Sequence, residues 1–311
     1  MKKYLLVTII LLLMLSGCAG GDTIRLLPAT ETPTPTATAT PTPTPTATPI
    51  PPLVAGDTFT RTVDGMVMHF VPGGPFLMGA PEDDPDARSD ERPQHPVTLS
   101  AFWMDRTEVT TAQYKLCVAA GACEEPFTRT AYDNPARANH PMTYISWDQA
   151  MDYCQWLADE IGWDVRLPTE AQWEKAASWD PLTETARRYP WGDILESSRV
   201  HRGTTTAAVG SYPAGASAYG ILDLAGNVWE WVYDWYDANY YASQGSFTDP
   251  VGADRGIYRV MRGGAYDSTA NFSTQLRVTY REVGRPEGSS QRAAKGPNLG
   301  FRCVVIGERL P

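Results

Sequence analysis

Apolar residues recur at helical spacing in few places. From Thr110 to Ala120 they place Tyr114, Cys117 and Val118 on one face, and the pattern stops at Gly121. Ser146-Trp147-Asp148-Gln149 reads as a capping box. It predicts a helix with Ala150, Met151, Cys154, Leu157, Ala158 and Ile161 inward, ended by Gly162. Thr169-Glu170-Ala171-Gln172 is a second capping box and predicts a short helix to about Ala177. Elsewhere short apolar pieces, such as Met66–Val71, Val97–Phe102 and Arg302–Ile306, are punctuated by Gly and Pro, 26 of each. Such a chain has little regular structure and many long loops. Loops of that length need ties, either disulfides or metal. No internal repeat or heptad interrupts this pattern, and no membrane span follows the first 18 residues.

The two ends of the pattern differ from its middle. Residues 1–18 read as a lipoprotein signal: Lys2 and Lys3 precede an apolar run from Tyr4 to Leu15, which is short for a bilayer span. Leu15-Ser16-Gly17-Cys18 resembles a bacterial lipobox, in which Cys18 is lipidated. A plain secretory signal with a chance cysteine is the alternative, and either predicts export. Residues 19–55 form a Thr/Pro-rich stalk whose composition favours polyproline II. At about 3.1 Å per residue its central stretch would reach roughly 70 Å. It is a spacer or a glycosylated stalk. Residues 56–311 are then the folded domain.

The net charge of −10 argues against nucleic acid and against an electrostatic grip on anionic lipid. Membrane contact is therefore expected through the lipid anchor, on the cell surface or in the periplasm. There are five cysteines. With Cys18 assigned to lipid, an even remainder in an oxidising compartment suggests two disulfides. Cys117 and Cys123 are close in sequence beside a helix end, which leaves Cys154 with Cys303; buried free thiols are the alternative.

Many short strings occur in one order. They include Val71-Pro72-Gly73-Gly74-Pro75-Phe76-Leu77-Met78-Gly79, Glu108-Val109-Thr110 and Arg166-Leu167-Pro168-Thr169-Glu170. Ala218 to Trp231, Met261-Arg262-Gly263-Gly264-Ala265-Tyr266 and Asn298-Leu299-Gly300-Phe301-Arg302-Cys303 follow. Together they resemble the formylglycine-generating enzyme (sulfatase-modifying factor) family from about Val63 to Ile306. The resemblance implies an α+β, C-type-lectin-like fold of low regular secondary structure. It also implies a bond between Cys154 and Cys303.

Asp223, Gly226, Val228 and Glu230 are spaced to wrap a hard cation through two carboxylates and two carbonyls, an oxygen set that suits Ca²⁺. The resemblance implies calcium at these positions. A metal-free reading has Asp223 capping a turn and Glu230 paired with an arginine. The family's other calcium site is doubtful, since Val200-His201-Arg202-Gly203 stands where an asparagine-led loop is usual. In formylglycine-generating members two cysteines after the Arg-Gly-Gly string bind copper(I); the matching positions here are Ser268 and Ser273. A neutral hydroxyl is a poor ligand for copper(I), so copper is not expected. A family active-site serine is replaced by Ala265, while Trp229 is retained.

A groove beside Trp229, Tyr266, Asp267 and Arg277 would take an extended peptide, a glycan or a cell-envelope partner. The leading expectation is a binding or accessory module; the alternative is an exported oxidoreductase with different chemistry. His69, His95, His140 and His201 form no short two-histidine metal motif. Asp148, Glu170 and Glu174 sit near helix starts and read as partners of the dipole. Trp147, Trp156, Trp173 and Trp191 read as core. Trp229, Trp231, Tyr233 and Trp235 read as an aromatic wall or core.

Overall fold

The capping strings each start a helix. In the computed structural model, residues 52–243, 247–268, 272–286 and 296–308 are described. The signal at 1–18, its Cys18 and all but the last four residues of the stalk at 19–55 lie outside the described residues. The helices are α1 Thr111–Ala119, α2 Arg129–Tyr132, α3 Trp147–Ile161, α4 Glu170–Ser178 and α5 Phe272–Gln275. The hydroxyls of Thr110, Ser146 and Thr169 accept from the backbone N–H of Gln113, Gln149 and Gln172. Each glutamine returns a bond to the cap N–H, so two otherwise orphaned donors are satisfied at each start. Gly162 ends α3 in the left-handed region at φ 72°.

The inward face of α3 is turned from the expected one. Ala150, Cys154 and Leu157 are buried as expected, but Met151, Ala158 and Ile161 are only partly so. Tyr153 and Trp156 take their place. Tyr153 stacks 5.8 Å from Tyr114, meets Phe301 edge-on at 5.4 Å, and donates its hydroxyl to Asp64. An aromatic ring with a polar tip can be buried once the tip finds an acceptor.

The strands are short. They are β1 Thr58–Thr60, β2 Val67–Val71, β3 Gly74–Met78, β4 His95–Leu99, β5 Phe102–Asp105, β6 Val165–Arg166 and β7 Trp179–Asp180. Then come β8 Thr185–Ala186, β9 Trp229–Trp235, β10 Phe247–Thr248, β11 Arg259–Arg262, β12 Glu282–Gly284, β13 Leu299–Phe301 and β14 Val304–Ile306. One antiparallel sheet runs β1-β2-β5-β14-β6 and a mixed sheet runs β12-β11-β9-β13. A three-stranded sheet, β10-β4-β3, and the β7-β8 pair complete the set. The apolar run Val97–Phe102 is broken at Ser100, whose N–H and hydroxyl both donate to Asp249.

The chain steps from β13 in one sheet to β14 in another across Arg302 and Cys303. Both residues are fully buried. Cys303 is bonded to Cys154 with Cα atoms 6.0 Å apart, and Cys117 to Cys123 at 5.3 Å. The step between sheets is thus fastened to α3. Loop-closure entropy assigns about 5 kcal/mol to the closure by Cys154–Cys303 and about 2 kcal/mol to the local one. Thermal unfolding of the two alanine pairs, Cys154→Ala/Cys303→Ala and Cys117→Ala/Cys123→Ala, is expected to show the first as much less stable. Equal losses would contradict this.

Candidate functional site

Three loops meet around Asn227. Tyr266 N donates to Asn227 O at 3.0 Å, Gly226 N to Gly263 O at 2.9 Å, and Trp229 N to Asn298 O at 2.8 Å. Close approach explains the glycines. A Cβ on Gly226 would lie 2.5 Å from the Val200 side chain, and one on Gly264 would lie 2.9 Å from Leu276. Both also have φ near +80°, open to glycine at no steric cost.

Asp223 and Glu230 are drawn toward different partners. Glu230 is fully buried; Arg302 holds its two oxygens at 2.6 and 2.7 Å, and Trp173 Nε1 donates to it at 2.8 Å. Asp223, at φ 59°, accepts from Gly210 N at 2.6 Å. Both parts of the metal-free reading are therefore present in the structure. A third carboxylate, Glu108, was missed by the sequence reading of roles. One of its oxygens accepts from Asn227 Nδ2 at 3.0 Å; the carboxyl is otherwise buried beside that of Asp223. Burial, then the nearby Asp223 and Glu230, push the Glu108 pKa well above the usual carboxylate range. Burial likewise raises Asp223. Three carboxylates here face one cation, Arg302. Surplus negative charge of this kind suits either a proton or a hard cation. Glu230, with both oxygens engaged, is the least available ligand of the expected four. Among the described residues no three His, Cys, Asp or Glu side chains are grouped as a metal cage.

The groove expectation needs correction, since of its four residues only Asp267 is exposed. Arg277 does not line an open surface. It is 1% exposed, forks onto Glu91 at 2.6 and 2.9 Å, and donates to Asp86 O. A guanidinium has five donors, and a loop that passes a carboxylate and a free carbonyl can bury it with most of them used. Trp229 is buried too, with Tyr280 at 5.9 Å. Tyr266 is largely buried and Asp267 is exposed, accepting from Asn298 Nδ2 at 3.0 Å. Of the aromatic wall, Trp231 joins Trp229 in the core. Trp235 instead sandwiches Arg259 against Trp147, which is core as expected, with the guanidinium 3.6 Å from each ring centre. Trp156 and Trp173 are core as expected, whereas Trp191 is only half-buried, stacked on Tyr189.

Ser268 Oγ accepts from Ala265 N at 3.0 Å, closing a local turn, and Ala265 is fully buried. Ser273 is exposed, and its carbonyl accepts from Tyr189. Every cysteine among the described residues is in a disulfide. Of the histidines, His69 and His95 lie apart, while His140 and His201 approach each other across Thr205 and Thr206. His69 bonds Tyr219 O, His95 bonds Pro93 O, His140 meets Thr206, and His201 bonds Thr205 O.

Residues 54–306 match the sulfatase-modifying factor enzyme 1-like domain. The chain belongs to this family. It is 32% identical over 302 residues to a formylglycine-generating enzyme of Streptomyces coelicolor, covering 78% of this chain and 90% of that one. It is 33% identical over 255 residues to the serine/threonine-protein kinase Pkn1 of Chlamydia trachomatis, covering 76% of this chain but only 38% of the relative's length. Among solved structures, PvdO from Pseudomonas aeruginosa superposes with TM-score 0.67 at 23% identity, over 82% of this chain and all of that one. The α+β, formylglycine-generating-enzyme-like fold is thereby shown.

Because the folded state raises the Glu108 pKa, it keeps a proton that the unfolded chain releases. The stability this gives is fully present below the ordinary glutamate pKa and is lost as pH rises through the raised one. In metal-free buffer Glu108→Gln is expected to raise the melting temperature at pH 8 by ~2–4 °C, the size of a change of about 1 kcal/mol. Near pH 4 it should change little. A loss at pH 8 would contradict the charge surplus.

Proposed function

We propose that this chain is a membrane-anchored, exported lipoprotein whose sulfatase-modifying-factor-like domain binds a peptide or glycan as an accessory module and does not make formylglycine. The observation that carries this reading is the state of its thiols. Cys117, Cys123, Cys154 and Cys303 are closed in two disulfides, while Ser268 and Ser273 stand where the resemblance implies copper-binding cysteines. Copper(I) selects soft thiolate, and a hydroxyl keeps its proton near neutral pH, so the missing ligands differ in kind. The binding face is taken to be the rim of Tyr266 and Asp267 over Trp229, without Arg277.

The test is incubation with copper(I) and a Cys-x-Pro-x-Arg peptide. The expected result is no aldehyde above a copper-only control by mass spectrometry. Aldehyde formation above that control would overturn the reading.

Calcium is part of the same proposal. Glu108 and Asp223 would hold it, with the carbonyls of Gly226 and Val228, and Glu230 would remain with Arg302. The ion would supply positive charge where three carboxylates now face one guanidinium. Since a ligand of the folded state stabilises it, chelation is expected to lower the melting temperature at pH 7.5 and Asp223→Ala to abolish the response. A melting curve indifferent to chelator would remove calcium from the account.

A further inference from the structure

A cavity of about 400 Å³ lies between β3, α4 and the β7-β8 turn, and none of the Asn227 loop contacts lines it. Its walls are mostly apolar, with Phe76, Trp179 and several prolines. Lys175 is set into this wall. It is 2% exposed, and its ammonium donates to Pro72 O and Gly74 O, both at 2.9 Å. Those carbonyls belong to the turn that also lines the cavity. An ammonium has three donors, so one is unspent.

The charge is not matched. Lys175 forms no ion pair among the described residues; the one acid that acts on it, Asp249, is itself bound by Ser100 N and Oγ. Burial accordingly lowers the Lys175 pKa to about 8. A buried cation held only by carbonyls is short of negative charge. Tyr219 lines the same cavity, is 1% exposed, and has a buried hydroxyl with no partner. An orphaned hydroxyl on one lining residue and an unspent ammonium hydrogen on another are groups of the kind that orient a ligand in a small-molecule site. Glu184, exposed at the rim, disfavours a second negative charge on that ligand.

We propose that this cavity binds a small monocarboxylate with a flat apolar body, its carboxylate held by Lys175 and Tyr219 and its body against Trp179 and Phe76. The site is independent of the accessory-module reading and of calcium. Benzoate and indole-3-acetate are suitable probes, with benzamide as the uncharged control, followed by ligand-observed NMR on the full chain. Benzoate is expected to bind at least about tenfold more tightly than benzamide, the size of one charge-assisted hydrogen bond. Lys175→Met should abolish that preference, and Tyr219→Phe, which keeps the ring, should weaken benzoate several-fold with an unchanged melting curve. If Lys175→Met does not fold, the Tyr219→Phe comparison decides. Equal binding of benzoate and benzamide, no benzoate binding up to about 10 mM, or benzoate affinity unchanged in Tyr219→Phe would each overturn the proposal.

Discussion

Five arginines buried with their carboxylates hold together loops that secondary structure does not reach. Arg61, Arg262, Arg277, Arg281 and Arg302 are all at most 1% exposed. Each makes an ion pair, and four of them also donate to loop carbonyls far away in sequence. Arg302 pairs with Glu230 and reaches Asp105 O and Leu222 O. Arg281 forks onto Glu170 and donates to Asp90 O. Arg262 joins Glu170 and Glu174 to Val278 O and Thr279 O. A buried loop carries backbone groups that sheets and helices would otherwise satisfy, and the guanidinium fork supplies donors for them in a fixed plane. Burial by itself would lower the pKa of Arg302; Glu230, together with Glu108 and Asp223, more than restores it, so the charge persists.

This arrangement shapes the site. α4 is buried along its whole length, so Glu170 and Glu174 serve as its contacts to β11 and to the loop carrying Arg281. Glu174 also accepts from Gly79 N at 2.6 Å. Glu230, Arg302 and Trp173 lie directly under the Asn227 loops. The charged residues that look catalytic in a bare sequence are thus mostly consumed in mutual pairing. The groups left over are the Glu108–Asp223 surplus and, in the separate cavity, Lys175 with Tyr219.

The helix starts were legible because a capping box is local: two residues three apart satisfy each other. The disulfide pairing was expected from the nearness of Cys117 to Cys123 and from the family resemblance, which implies Cys154–Cys303, and both bonds are present. The loop ties were expected to be disulfides or metal, and arginine entered only as a partner for Glu230, since it is ordinarily exposed. Arg277 was expected on a groove; its partner Glu91 lies 186 residues away in sequence and could not be read locally. Periodicity could not foresee that Tyr153 would displace Met151 from the face of α3, since Asp64, which accepts its hydroxyl, comes from another part of the chain. Glu108 stood in a quoted string with no role, because its importance depends on Asn227 and Asp223 arriving beside it.

The dependence of the fold on these pairs is open to direct measurement by a double-mutant cycle at Arg302 and Glu230, followed by denaturant unfolding. Each single change, Arg302→Met or Glu230→Gln, leaves a buried partner uncompensated and is expected to cost about 3–5 kcal/mol. The double variant should cost clearly less than the two single losses combined, because neither member of the pair is left facing a missing partner. Additive losses, or single variants as stable as the parent, would contradict the view that buried arginine–carboxylate pairing holds this domain together.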